Sequence, residues 1–259
     1  MPITYNDIKK LRNLDCAEIK DLRGQIIHNR ILLNYENTDF TGCVLYRCFP
    51  SGILGVLEVN PAKSEDDVSF YLVGADLRNA YLYDANLEGA NLEGANLYYN
   101  AYLGGANLGG AKLYDANLEG ANLYNAYLGG ANLGGAKLYD ANLEGANLEG
   151  ANLLDANLLD ANLYNADLGG ANLEGADLFN ANLKAAYLYE ANLKGTNLEN
   201  ALLYEANLQY ANLRDAYLGG ADLKGTNLRG ADLEGARYNE DTVLPEDITQ
   251  EQLESMTRL

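Results

Sequence analysis

The 259-residue sequence predicts an all-β solenoid, a chain of short extended segments wound into closed coils that stack on one another. Three observations predict it. From Phe70 onward a small apolar residue and a leucine recur every five residues, as in Ala75/Leu77, Ala80/Leu82 and Ala85/Leu87. A period of five is neither the 3.6 of a helix nor the 2.0 of a simple strand. Gly, Asp or Asn usually follows each pair, and these residues suit bends.

The alternation explains the shape. Two residues apart on an extended segment, Ala and Leu point the same way. A bend must follow before the next pair can do the same. Equal sides and bends close a coil, and coils stack about 4.8 Å apart through backbone hydrogen bonds. One repeat cannot stand alone. Burying a leucine contributes about 1.5–3 kcal/mol, whereas ordering five backbone residues costs about 5–10 kcal/mol. Stability therefore comes from stacking.

The chain divides into three parts. Residues 1–69 form an N-terminal cap. Within it, residues 4–23 read as helical, with starts at Thr4/Asp7 and Asp15/Glu18 and a stop at Gly24. Weak repeats occupy 33–49, including Thr38-Asp39-Phe40 and Cys43-Val44-Leu45, and 50–69 reads as an excursion. Residues 70–240 carry the regular repeat. It slips by one residue before Ala101, then holds leucine at every fifth position from Leu103 to Leu233, with Tyr238 in the last place. Ala sits two before each, except at Thr196 and Thr226. Residues 241–259 form a tail. Thr249 and Gln252 make a capping box there, and Leu253, Met256 and Leu259 are spaced by three, as on a short capping helix. Solenoid ends need such covers.

The run Ala75-Asp76-Leu77-Arg78-Asn79, then Ala85-Asn86-Leu87-Glu88-Gly89 and its successors, resembles the pentapeptide repeat family, whose pattern is A(D/N)LXX. The resemblance covers about two thirds of the chain. It implies a right-handed quadrilateral β-helix with four pentapeptide repeats per coil. It also implies that the central leucine and the small residue two before it point inward, and that the other three positions point outward. Some members of the family mimic B-form DNA and bind DNA gyrase. Nothing in this sequence matches that subset in particular.

Composition narrows the function. The formal net charge of −19 argues against nonspecific binding to nucleic acid or to an anionic membrane. No apolar run reaches the ~18 residues of a membrane span, and the N-terminus lacks a secretory pattern, so a cytoplasmic protein is expected. His28 has no companion for a triad or a metal site. Cys43 and Cys48 read as alanine substitutes at the inward position, and three cysteines make no fully paired disulfide framework. The expectation is no catalytic residue, no metal and no cofactor.

Two surfaces stand out. The first is acidic: Glu119, Asp140, Glu144, Glu149, Asp155, Asp160, Asp167, Glu174 and Asp177 belong to a stretch, 71–180, in which fourteen acids face only Arg78, Lys112 and Lys137. At the strand spacing this is about −0.4 charge per Å, against about −0.6 for duplex DNA. The second is apolar. With four repeats per coil, Tyr139, Leu159 and Phe179 stack on one face, and Leu154 and Tyr164 lie on the flanking faces. Exposed apolar side chains on a polar surface mark contacts, and tyrosine is favoured at interfaces. The reading is a non-enzymatic protein–protein interaction or scaffold module with an unknown protein partner. The alternative is an acidic DNA mimic that modulates DNA gyrase or another DNA-binding protein. Homodimerisation through a terminal segment or the apolar patch is a further expectation.

Overall fold

The computed structural model describes the backbone of residues 26–28 and 44–46, Leu77, Leu82, residues 87–98 and residues 101–259. The expected N-terminal helices, the excursion at 50–69 and the side chains of His28, Cys43 and Cys48 lie outside the described residues. Strand β1 (Ile26–His28) pairs in parallel with β2 (Val44–Tyr46), Ile26 opposite Val44. The early Val44-Leu45-Tyr46 piece thus takes part in a parallel ladder.

Beyond Ala101 one coil is twenty residues. Parallel bridges join Tyr102 to Asn122, Asn107 to Tyr127, and so on to Tyr217 and Arg237. Asn91 and Asn96 instead pair twenty-one residues ahead, with Lys112 and Asn117. That offset absorbs the one-residue slip seen before Ala101. The four walls are named here by their leucines: first (Leu103, Leu123, and on), second (Leu108), third (Leu113) and fourth (Leu118).

The backbone of each repeat can be accounted for donor by donor. Around Leu123, the Asn122 N–H donates to the Ala101 carbonyl of the coil before (2.9 Å), and the Leu123 N–H donates to the Asn142 carbonyl of the coil after (2.7 Å). The Asn125 N–H donates to Glu144 O (2.9 Å), and the next repeat's Ala126 N–H closes the corner onto Leu123 O (2.9 Å). One donor per repeat remains, the N–H just after the leucine. The Asn or Asp before the leucine takes it: Oδ1 of Asn122 accepts from Tyr124 at 3.0 Å. From Asn107 to Asp232 every Asn and Asp in this position does the same. This is the Asx-turn preference of these residues, repeated on every wall.

The corner explains the fifth position. Its residue has a left-handed φ, such as +65° at Gly145 and +55° at Asp155. Only the second of the two corner residues is left-handed, as in a type II turn. Gly, Asn and Asp tolerate that region best.

Leucine and alanine columns fill the interior, nearly all at 0–1% exposure. Thr196 and Thr226 also point inward, where their hydroxyls donate to the carbonyls of Leu173 (2.8 Å) and Leu203 (2.6 Å). The repeat does not stop at Tyr238. Thr242-Val243-Leu244 forms another one, displaced by one residue. Val243 bridges Asp222, Thr242 Oγ1 donates to Leu218 O at 2.8 Å, and Leu244 packs on the core.

The tail then covers part of the last coil. Helix α1 (Gln250–Ser255) starts at the expected capping box of Thr249 and Gln252. It is shorter than the spacing of Leu253, Met256 and Leu259 suggested. Met256 leaves the helix in an extended conformation, buries its side chain in the core, and leads into β4 (Thr257–Arg258). That strand pairs in parallel with β3 (Arg237–Tyr238) on the fourth wall, and Leu259 is left exposed. Burying one methionine and pairing two residues gains more than another helical turn on the surface.

Candidate interaction surface

Each wall presents two outward columns, the residue before the leucine and the residue after it. On the fourth wall the second column runs Glu119, Tyr139, Leu159, Phe179 and Glu199. Backbone bonds hold it in register: Gly120 N–H to Tyr139 O (2.8 Å), Asp140 N–H to Leu159 O (3.0 Å), Asp160 N–H to Phe179 O (3.0 Å) and Asn180 N–H to Glu199 O (2.9 Å). Tyr139, Leu159 and Phe179 thus stand on one wall at successive coils. Leu154 ends the third wall just before them, and Tyr164 lies on the first wall just after.

Exposure corrects one part of the sequence reading. Tyr139 (43%), Leu154 (40%) and Tyr164 (44%) are exposed, but Leu159 and Phe179 are only half-buried, not exposed. At a coil spacing of about 4.8 Å the members of a column cover one another's flanks. Only their outer edges are available.

The nine acids do not form one stripe. Glu144 is on the first wall, Glu149 and Asp167 on the second, Asp155 and Glu174 on the third, and Glu119, Asp140, Asp160 and Asp177 on the fourth or its corner. Asp167 and Asp177 take the turn N–H of Gly169 (3.0 Å) and Phe179 (3.1 Å) and so have a structural task. Asp160 accepts from the Asn180 side chain, and Glu144 from Asn162 at 3.3 Å. Glu174 is held by an ion pair as well as a hydrogen bond. The Asn192 amide donates to it at 3.2 Å and Lys194 pairs with it at 3.3 Å, and together they hold its carboxyl below the ordinary value.

Sequence reasoning missed two surface features. On the third wall the side chains of Asn132, Asn152, Asn172, Asn192 and Asn212 form an unbroken amide ladder, Nδ2 to Oδ1 at 2.9–3.1 Å. A shorter ladder joins Asn142, Asn162 and Asn182 on the first wall. The signal was the recurrence of Asn at intervals of twenty. The second feature is the seating of tyrosines on glycines. A Cβ on Gly109 or Gly129 would meet the ring of Tyr127, and one on Gly230 the ring of Tyr210. Tyr187, Tyr189 and Tyr210 form a small aromatic group, the first two stacked at 6.0 Å and the last pair edge-on at 5.7 Å.

Among the described residues no group of His, Cys, Asp and Glu is arranged to hold a metal ion. No described helix is long and apolar enough to cross a membrane.

The model of the family described as pentapeptide repeats matches eight copies, over 70–98, 101–140, 141–180, 181–220 and 201–237. No curated protein sequence matches the chain. Among solved structures, the pentapeptide repeat protein Rfr23 from the cyanobacterium Cyanothece 51142 is 47% identical, over 36% of this chain and 63% of its own, with a TM-score of 0.35. The chain thus spans less than two thirds of Rfr23. HetL from the cyanobacterium Nostoc sp. strain PCC 7120, involved in heterocyst differentiation regulation, is 26% identical over 94% of this chain and all of its own, with a TM-score of 0.32. Full-length QnrB1, a plasmid-mediated fluoroquinolone resistance protein, is 18% identical over 85% of this chain and 92% of its own, with a TM-score of 0.40.

Proposed function

The chain belongs to the pentapeptide repeat family, whose members are right-handed quadrilateral β-helices, and we propose that it is a non-enzymatic, cytoplasmic protein–protein interaction module. The fourth wall and its two neighbouring corners carry the contact. The observation behind this reading is the stacked column Tyr139, Leu159 and Phe179, with Leu154 and Tyr164 beside it, which gathers two leucines and a phenylalanine on a surface whose other large apolar groups are mostly single tyrosines. A rigid wall holds these side chains in place before contact, so little ordering cost opposes binding. The test is a pull-down with the full chain and the triple variant Leu154→Ser, Leu159→Ser, Phe179→Ser. Specific partners should be lost from the variant. Partners retained in full would overturn the reading.

Charge density favours a second reading, an acidic DNA mimic acting on DNA gyrase or another DNA-binding protein. The value of about −0.4 per Å approaches that of duplex DNA. The acids lie on all four walls, as around a duplex rather than along one strip. Such a complex weakens steeply with salt, whereas an apolar contact does not. Inhibition of gyrase supercoiling, lost when Glu144, Glu149, Asp155 and Asp160 are neutralised, would favour the mimic.

A further inference from the structure

We infer that the fourth wall pairs with the fourth wall of a second copy, antiparallel, about a two-fold axis that passes beside Leu159. The inference rests on the reading of this wall as a contact surface and names its occupant. It comes from the order of residues along the two outward columns. In the column before the leucine, Lys137, Asn157 and Asp177 follow one another at successive coils. In the column after it, the order is Glu119, Tyr139, Leu159, Phe179 and Glu199.

A two-fold axis lying in the interface along the strand of Leu158 reverses the coil order and leaves the columns in place. Lys137 of one copy then faces Asp177 of the other, and the same pair recurs on the opposite side. Tyr139 faces Phe179 twice, Leu159 faces itself, and Asn157 faces itself. Isologous surfaces are self-complementary in this way. Lys137 meets Asp177 and aromatic rings meet aromatic rings, while Asp160, at the corner beside Leu159, meets its own copy and is shielded by the Asn180 amide it accepts from.

The charges are available for this. Lys137 is exposed and has no ion pair among the described residues. Asp177 uses Oδ1 for the Phe179 N–H (3.1 Å) and the Asn197 amide (2.9 Å), which leaves Oδ2 for a cation. Within one copy the two residues are two coils apart, about 9.6 Å, too far for a direct ion pair. They meet only across the axis. The patch is bounded by a like-charge pair, because the same axis sets Glu119 against Glu199. Five coils of one wall offer far less than the roughly 800 Å² per partner of a standard interface. The dimer is therefore weak and reversible.

Sedimentation equilibrium of the full chain, from about 10 µM to about 1 mM, tests the inference. The expected result is a reversible dimer. Lys137→Glu should weaken it about tenfold or more, by placing two carboxylates opposite each other twice. Glu199→Lys should tighten it several-fold, by turning the rim repulsion into attraction. Both positions point outward, and circular dichroism of each variant checks that the fold is kept. A monomer throughout the range would overturn the inference, as would a dimer indifferent to both substitutions. Neither result touches the wider reading of the wall, which fails separately if the triple serine variant keeps all its partners.

Discussion

Asn172 donates its side-chain amide to Oδ1 of Asn152, twenty residues earlier, at 3.1 Å. The same Asn172 Oδ1 accepts the Glu174 N–H at 3.3 Å and the Asn192 amide at 2.9 Å. One side chain thus closes its own turn and ties three coils together. Asn172→Ala should lower stability by about 1–2 kcal/mol, measured by urea unfolding. Asn172→Asp should cost at least as much, because it keeps the acceptor but sets a carboxylate oxygen in place of the donor against Asn152 Oδ1, whose own amide is already committed to Asn132.

Truncating a core leucine is the harsher change. Leu168 is fully buried between the leucines of the coils above and below. Leu168→Ala should cost about 3–5 kcal/mol, since neighbours fixed by backbone ladders on both sides cannot collapse into the space. Thermal or urea unfolding reads this directly.

Thr196→Ala should be nearly neutral, within about 1 kcal/mol. The Leu173 carbonyl that accepts from its hydroxyl also accepts the Ala176 N–H at 3.0 Å, so removing the hydroxyl leaves no unpaired acceptor. Alanine is also the residue that nearly every other repeat places there. A loss well above that figure would show that the hydroxyl carries weight the hydrogen-bond accounting does not assign it.

Glu174 gives a pH signature. Its carboxyl is held low, first by the Asn192 amide and then by Lys194. A carboxyl depressed in the folded state stabilises it above the unfolded-state pKa, and that contribution is lost as the pH falls through the folded value. Asn192→Ala and Lys194→Ala should each move the Glu174 titration upward, the second by removing both a hydrogen bond and a charge. Carboxyl carbon chemical shifts followed by NMR would measure both.

Much of this architecture was legible in the sequence because the inward residues are chosen by one repeated requirement. Ala101 and Leu103 sit where a closed, dry coil leaves room for a small and a large side chain, and the same pair returns at every wall. The outward positions obey longer rules. The role of Asn152 depends on its own turn and on residues twenty positions away, so a five-residue period shows its abundance and hides its partner. The displaced repeat at Thr242-Val243-Leu244 escaped because a one-residue shift breaks the period while leaving the wall intact. Leu159 and Phe179 recur twenty residues apart, which the sequence displays, but they are half-buried, which it does not. Coil spacing, which the sequence does not display, makes each cover the next.

The ladders that join coil to coil all run along the axis of the rod, while the covalent chain runs around it. A pull applied to the two ends of the described solenoid therefore loads the hydrogen bonds one coil at a time, like tape peeled from a roll, and never shears a whole wall at once. Each event frees twenty residues, a gain of about 60–70 Å of contour length less one coil height. A force–extension trace should be a low, evenly toothed saw rather than a single high rupture, which makes this rod stiff in compression and easily unspooled under tension.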